Sequence, residues 1–458
     1  MQPAILKKLQ RAAGGSNCSC SPSQRLLHAY DASGRSSAPE MVITARDTAQ
    51  VARVLTECHR TGTPIVCRGA GSGLVGGAVP VAGGVVLDLA GMCSIKSIDP
   101  ADQVAVVQPG VVTSELQAAA EAKGLIYPPD PASVGFCTVG GNIATNAGGL
   151  RAVKYGVTRD YVLSLEAVLA DGTVMRSGAA TFKGVVGYDL TRLLVGSEGT
   201  LAVFTEITLR LLPKPETVNT ISASYIQLDR AVAGVQEVLA SGIRPAALEF
   251  MDRASIRVVD RYLDLGLSPE TEAMLLIDLD GSLETVERQT EKIKTMLNRE
   301  GADQVQAANS AQSRKRLWSA RRAVAPATFQ LAPNKLGEDI VVPISKLGRM
   351  VSHLEEISQE RGLPVISFGH AGDGNLHVNI MYDASDQKQS LAAQQAVSDV
   401  FAHTLTLGGS ISGEHGVDIT KRGYAGAELD PAAVEMMRRI KAAFDPKNIL
   451  NPHKKIPV

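Results

Sequence analysis

Arg68-Gly-Ala-Gly-Ser-Gly-Leu-Val-Gly-Gly77 is the stretch on which the fold turns. It holds a G-x-G-x-x-G at Gly71, Gly73 and Gly76, and the apolar residues 64–67 before it read as a strand. A doubly wound dinucleotide site needs a helix to open inside the motif, because the helix N-terminus carries the pyrophosphate. Pro80, Gly83 and Gly84 follow instead, and then a second apolar strand over 85–89. No helix fits, so that reading fails on context, although Asp88 stands near the usual acidic position. Consecutive glycines can still converge their N–H groups on an anion without a helix. A tight surface turn is the other reading of this stretch alone.

Two further glycine clusters lie downstream. One is Gly140-Gly-Asn-Ile-Ala-Thr-Asn-Ala-Gly-Gly149, preceded by Tyr127-Pro-Pro-Asp130. The other is Gly196-Ser-Glu-Gly-Thr200, which leads into an apolar strand over 201–212. A surface turn does not need so long a run of small and polar residues. Such runs suit backbone packed closely on a large extended ligand. A dinucleotide, with two phosphates and two ring systems, offers that much surface.

Composition bounds the rest. The 458 residues are 45% hydrophobic and 20% charged, enough for two or three domains with real cores. The net charge of −1 excludes a generally basic nucleic-acid binder and a polybasic membrane-surface protein. Aromatics at 4% argue against base-stacking platforms. No apolar run reaches the ~18–20 residues that span a bilayer, and no export signal is read at the start. The six cysteines are scattered without a C-x-x-C, which fits a reduced, cytoplasmic chain. Cys18 and Cys20 make one C-x-C without further ligands nearby.

The first 40 residues, rich in Ser, Gly and Ala, are expected to wrap the surface. Val51, Val54, Leu55 and Cys58 recur at helical spacing, predicting a helix over 48–60. A second helix is predicted over 113–123, with Thr113 as N-cap and Gly124 as terminator. Strands are predicted over 104–108, 162–170 and 173–176, the last two joined by an Asp171-Gly172 hairpin turn. Lys214-Pro-Glu216 marks a domain boundary. Beyond it, strands over 221–228, 246–250, 274–280, 340–343 and 365–368 alternate with helices over 230–241, 283–300 and 345–361. That rhythm predicts an α+β domain whose antiparallel sheet is covered by helices on one face. A last helix is predicted over 432–444. The expected division is 1–215, 216–410 and a C-terminal segment, 411–458, that returns to the first domain.

Phe368-Gly-His-Ala-Gly-Asp-Gly-Asn-Leu-His-Val-Asn379 places His370 and His377 on either side of a Gly-rich turn. Flanking strands would make a hairpin and bring the rings together, with His377 and Asn379 on one face. Gly408-Gly-Ser-Ile-Ser-Gly-Glu-His-Gly416 carries Glu414 and His415. Two histidines and one carboxylate suit a catalytic divalent metal. Ordinary polar residues at turns are the competing reading. Glu414 and His415 can face one point only if the chain bends, for which Gly413 and Gly416 are placed.

Taken together, R-G-A-G-S-G, P-P-D…T-V-G-G-N-I-A-T-N-A-G-G and L-V-G-S-E-G-T-L-A-V resemble the FAD-binding domain of the vanillyl-alcohol oxidase/p-cresol methylhydroxylase superfamily, over about residues 38–216. With H-A-G-D-G-N-L-H, G-E-H-G and L-W-S-A-R, the whole chain resembles the FAD-linked D-2-hydroxy-acid dehydrogenases. That group includes the glycolate oxidase FAD subunit, D-lactate dehydrogenase and D-2-hydroxyglutarate dehydrogenase. The resemblance implies a two-part FAD-binding domain of the p-cresol methylhydroxylase type plus the α+β substrate (cap) domain.

It further implies that Arg68, Gly69, Ala70, Gly71, Ser72, Gly73, Gly76 and Gly77 cradle the pyrophosphate. Pro129, Asp130, Ser133, Thr138, Gly140, Gly141, Asn142, Thr145, Asn146, Gly148 and Gly149 would line the flavin. Glu198 and Gly199 would lie near the adenine or ribose, and Asn451 would join the cofactor site. Ser72 stands where covalent-flavin members often carry His, so the FAD is expected to be non-covalent. His370, His377 and Glu414 would hold zinc or manganese, His415 would be the base, Asn379 a substrate contact, and Arg321, rather than Arg322, the grip on the substrate carboxylate. Lys335 is a candidate second cation for a dicarboxylate substrate.

The expected reaction oxidises a D-2-hydroxy acid, D-lactate or glycolate, to the 2-oxo acid. Electrons leave to an iron–sulfur subunit, an electron-transferring flavoprotein or quinone, since the chain has no iron–sulfur cysteine run. A homodimer, and peripheral attachment to the membrane through a partner, fit the same resemblance. D-2-hydroxyglutarate oxidation, a transferase like alkyl-dihydroxyacetonephosphate synthase, a metallohydrolase built on the His/His/Glu set, and a non-catalytic flavoprotein are the alternatives.

Overall fold

The computed structural model describes residues 1–263 and 268–457. The chain forms two compact units. The first comprises Met1–Gly149, Gly156–Lys214 and Glu414–Val458; the second comprises Leu150–Tyr155 and Pro215–Gly413.

The first unit contains two main sheets. In one, Met41–Thr44 and Ile65–Arg68 run parallel to the central Val85–Asp88, and Cys18–Ser19 adds an antiparallel edge. Val85, Val86 and Leu87 are all fully buried, as a central parallel strand covered on both faces requires. The other is antiparallel, in the order Ile95–Asp99, Val104–Val107, Val203–Arg210, Val162–Val168, Val174–Gly178. The Asp171-Gly172 turn forms as predicted: Leu169 N donates to Thr173 O at 2.9 Å, and Gly172 adopts φ 93°.

The helix Thr48–Thr61 starts on Asp47, whose carboxylate accepts from Gln50 N at 2.7 Å, and stops at the left-handed Gly62. It buries Val51, Val54, Leu55 and Cys58, the predicted stripe. Burial pushes the Cys58 thiol up to about 12, so this cysteine acts as a small core hydrophobe.

Two local expectations are corrected. The first 40 residues do not merely wrap the surface. Pro3–Ala13 is a helix ended by the left-handed Gly14, and it packs Leu9 and Ala13 into the core beside Val51 and Leu55. Thr113 is not an N-cap: the helix Thr113–Glu121 begins after Val112, and the Thr113 hydroxyl accepts from Asn142 Nδ2 at 2.8 Å. The second glycine run contains a short helix. Val139–Thr145 is a helix capped by the Thr138 hydroxyl, and Asn146 ends it with φ 55°. Small residues permit this helix because Gly140 sits on Pro109, where a Cβ would lie 2.5 Å from the proline Cβ. Between Gly69 and Gly84 there is no helix, as the Pro-Gly spacing required.

The second unit is one antiparallel seven-stranded sheet, in the order Gln304–Ala307, Thr217–Tyr225, Ala273–Gly281, Ala247–Asp252, Val365–His370, Asn375–Tyr382, Asn334–Val341. Leu228–Ala240, Leu283–Arg299, Leu347–Arg361 and Gln387–Thr406 pack on one face. Tyr225 on that face reaches Gly234, and Asn219 Nδ2 donates to Thr290 Oγ1 at 3.2 Å. The other face is not left bare, which corrects the one-faced expectation. Arg253–Leu263 and Ala311–Ala327 cover part of it, packing Ile256, Val259, Ala320 and Val324 on Met251, Leu276, Ile366 and Phe368. The remainder of that face is polar.

Candidate active site

The first unit encloses a cavity of about 410 Å³, within the ~300–1,000 Å³ usual for ligand sites. Its walls come from residues 67–78, 131–148, 198–204 and 414–418, which are the three glycine clusters and the G-E-H-G segment. Sixteen of the expected cofactor residues line it, from Arg68 through Gly73, Gly77, Ser133, Thr138, Gly140, Gly141, Asn142, Thr145, Gly148, Glu198 and Gly199. Glu414 and His415 line it too, and the left-handed Gly416 (φ 92°) supplies the bend that adjacent residues need. A Cβ on Gly148 would stand 2.7 Å from Glu414 Oε2, so this glycine makes room for the carboxylate.

Gly76, Pro129, Asp130, Asn146, Gly149 and Asn451 are outside the lining, and their contacts are with neighbouring chain. Gln117 Nε2 donates to Pro129 O at 3.0 Å, and Asn146 Oδ1 accepts from Arg159 N at 2.9 Å. Gly149, at φ 141°, presses on the Asp130 carbonyl, and Gly76, at φ 89°, on Ile419. Asn451 Nδ2 ties Gly77 O (3.1 Å) to Glu198 O (2.7 Å).

Arg68 is buried, and its guanidinium fills the space a Gly71 side chain would need. Its Nη1 donates to Tyr30 O at 2.7 Å, and burial lowers its pKa against the pull of Asp31 and Asp88. The N-terminal segment thus positions the cavity's arginine, a role no sequence signal announced.

Glu198 holds the floor. Its backbone is left-handed (φ 53°), and its carboxylate accepts from Val417 N at 3.1 Å, Asp418 N at 2.8 Å and Lys455 Nζ at 2.9 Å. Burial would lift this carboxyl, but Lys455 and the Asp418 N–H hold it below its ordinary value. Asp418, on the cavity wall, is raised well above the usual carboxylate range by burial and by the Glu198 charge. Its Oδ1 is buried without a hydrogen-bond partner among the described residues. An unfilled polar atom on the wall of a glycine-lined cavity fits a polar cofactor such as FAD. Lys454 Nζ donates to Gly77 O at 2.7 Å, and burial lowers its ammonium to about 8.

In the second unit, the polar part of the sheet gathers a second set. His370 ends Val365–His370, His377 lies within Asn375–Tyr382, and the predicted hairpin joins them. Their ring centroids are 5.2 Å apart, edge to face, and each offers a nitrogen within 4.8 Å of the other. Asn379, two residues beyond His377, shares its face. Its Nδ2 is buried with no acceptor among the described residues. Arg321 is buried and Arg322 exposed. The Ser310-capped helix Ala311–Ala327 carries Arg321 over the Phe368 ring, with Cζ 4.6 Å from its centroid, and Trp318 Nε1 pins the helix to Asp278 Oδ1 at 3.0 Å. Lys335 pairs with Met381 in register, so it lies on the same face; burial lowers its pKa, and its Nζ sits 5.6 Å from the Phe329 ring centre.

Two carboxylates here escaped the sequence reading. Glu249 is 1% exposed, with Oε2 2.7 Å from Arg321 Nε and Oε1 2.5 Å from His370 Nδ1. A charged residue inside the apolar Ala247–Asp252 strand was the signal that could have found it. Asp339 faces His377 in register and accepts from Gly413 N at 2.8 Å. Glu414 is the next residue along the chain from that anchor.

No described helix is long and apolar enough to cross a membrane. Comparison with known proteins gives two family matches: the FAD binding domain over residues 39–178, and the C-terminal domain of FAD linked oxidases over residues 214–455. The glycolate oxidase subunit GlcD of Bacillus subtilis is 44% identical over 98% of this chain and 96% of its own length. A D-lactate dehydrogenase of Anaerostipes hadrus is 38% identical over 91% of this chain and 89% of its own. Among solved structures, p-cresol methylhydroxylase with substrate bound superposes with a TM-score of 0.84 at 18% identity, over 99% of this chain and 96% of that one, which bears out the fold class. The chain therefore belongs to the FAD-linked oxidases and is an FAD-dependent oxidoreductase.

Proposed function

We propose that the protein oxidises a D-2-hydroxy acid, D-lactate or glycolate, to the 2-oxo acid and passes the electrons to a separate acceptor. The observation that carries this reading is the polar sheet face, where a buried arginine, two histidines and an unfilled amide donor stand together. The relatives named for glycolate and D-lactate agree with it. FAD, when bound, supplies the hydride acceptor. We take it to be non-covalent: Ser72 cannot make a histidyl link, and burial pushes the Cys67 thiol on the cavity wall up to about 12, leaving it protonated and a poor nucleophile.

In this reading Arg321 takes the substrate carboxylate with its planar fork. Asn379 Nδ2 donates to the substrate, and His415 accepts the hydroxyl proton as the C2 hydride departs. His370, His377 and Glu414 would hold a zinc or manganese ion, whose chemistry would be to lower the hydroxyl pKa. Their donor types fit such an ion. Lys335 is the cation that a second carboxylate would meet, so D-2-hydroxyglutarate is the second substrate to try. A metallohydrolase would leave the FAD-binding domain without a purpose. The subunit naming of the Bacillus subtilis relative favours an iron–sulfur or other partner protein as acceptor over direct transfer to quinone.

The test is anaerobic addition of D-lactate, glycolate and D-2-hydroxyglutarate to the yellow protein. Bleaching by one of the first two is expected. A flavin that stays oxidised with all three, with zinc or manganese supplied, refutes the reading.

A further inference from the structure

Glu249 lies in the strand next to that of His370 and is paired with it in register. Its two oxygens are divided: Oε2 accepts from Arg321 Nε at 2.7 Å, and Oε1 is 2.5 Å from His370 Nδ1. A carboxylate only accepts hydrogen bonds, so a His370 hydrogen sits on Nδ1 and Nε2 is the ring nitrogen turned away from Glu249. With Nε committed to Glu249 and the guanidinium plane laid over Phe368, Arg321 is left its two terminal nitrogens to offer.

We propose that Glu249 is a positioning residue that sets both the metal-binding face of His370 and the carboxylate-binding edge of Arg321. The inference rests on the roles given to those two residues under the proposed function. One side chain thereby orients two groups that must meet the same small substrate, one at its hydroxyl and one at its carboxylate. A buried carboxylate is costly unless it is fully paired. Here each oxygen has a cationic or N–H partner, and both partners are functional side chains.

Zinc alone is the probe, titrated against a competing chelator into metal-stripped protein that retains FAD. Wild type, His370→Ala and Glu249→Gln are compared. A glutamine must turn its NH2 group toward either Arg321 or His370, donor against donor. The expected result for Glu249→Gln is zinc binding about 10–100-fold weaker, the usual loss when an outer-shell carboxylate is removed, with the FAD content unchanged and the KM for the hydroxy acid raised. Wild-type zinc affinity and KM in Glu249→Gln would overturn the inference while leaving the metal reading intact. Undiminished zinc binding in His370→Ala would remove the metal reading, and the inference with it. Should Glu249→Gln fail to fold, the wild-type protein decides: imidazole 15N spectra of the metal-free form, assigned with His370→Ala, should show the Nδ1–H tautomer, and the Nε2–H tautomer overturns the proposal.

Discussion

Replacing Glu198 by Gln should loosen the FAD unit more than any contact at the cavity rim. The carboxylate collects three donors, two of them backbone N–H groups of residues 417 and 418. A glutamine accepts through one oxygen only. Turned toward Val417 and Lys455, it sets its NH2 against the Asp418 N–H. A lost hydrogen bond to a charged group is worth about 1.5–3 kcal/mol. The Lys455 contact is the most readily replaced by water of the three, since its side chain is 25% exposed. The net cost is then about 2–3 kcal/mol, because losing the Glu198 charge also relieves Asp418. For a unit of roughly 250 residues, at about 2–4 °C per kcal/mol, melting should fall by about 4–12 °C. Flavin fluorescence released on heating reports this unit directly. Lys455→Met should cost less, since both backbone donors remain. A Glu198→Gln protein that releases flavin within 1 °C of wild type, or a Lys455→Met protein that is equally damaged, would refute the assignment of the main load to the backbone bonds.

Gly140→Ala should lower flavin occupancy, measured as visible absorbance per chain, because its Cβ meets Pro109 backbone at 3.0 Å; overpacking of this kind costs about 1–3 kcal/mol. Gly135→Ala, with nothing within 4 Å of the added carbon, should be neutral. His415→Ala should slow flavin reduction about 10²–10⁴-fold in anaerobic stopped flow while FAD stays bound. Unchanged reduction removes His415 from the mechanism. The Asp88 carboxylate, with Oδ2 3.7 Å from His28 Nε2, raises the His28 pKa against its burial. That pair stabilises the fold below the ordinary histidine value of about 6.5 and fades as pH rises through the raised value. Melting of the wild type should therefore decline across that window, and His28→Gln should flatten the decline. Lys335→Met should spare D-lactate turnover and lower kcat/KM for D-2-hydroxyglutarate; equal loss on both substrates rules out selective recognition.

Much of this was legible because it depends on local rules. Pro80 and two glycines forbid a helix after Gly76 whatever the rest of the chain does, and Asp171-Gly172 closes a hairpin by its own backbone preference. The His370–His377 hairpin followed from a Gly-rich turn between apolar strands. What escaped depends on tertiary partners. Val139–Thr145 is rich in poor helix formers and becomes helical because Gly140 can sit on Pro109. Pro3–Ala13 reads as polar until its Ile5, Leu6 and Leu9 stripe meets the helix 48–61. Glu198 looks like a ligand contact in sequence because it sits between glycines. Its carboxylate oxygens are occupied by residues more than 200 positions away, a pairing that no local pattern encodes. Glu249 was hidden in the same way, its partners lying 72 and 121 residues further along.

The return of residues 414–458 to the first unit has a consequence for how the molecule is made. Glu198, the 69–77 loop and the cavity wall all lean on Asp418, Asn451, Lys454 and Lys455. During synthesis these residues leave the ribosome only after the whole second unit, roughly 200 residues or about 10–40 s later. Until then the nascent first unit has its sheets but no floor to its cavity. Flavin capture is therefore postponed until residues 414–458 have emerged.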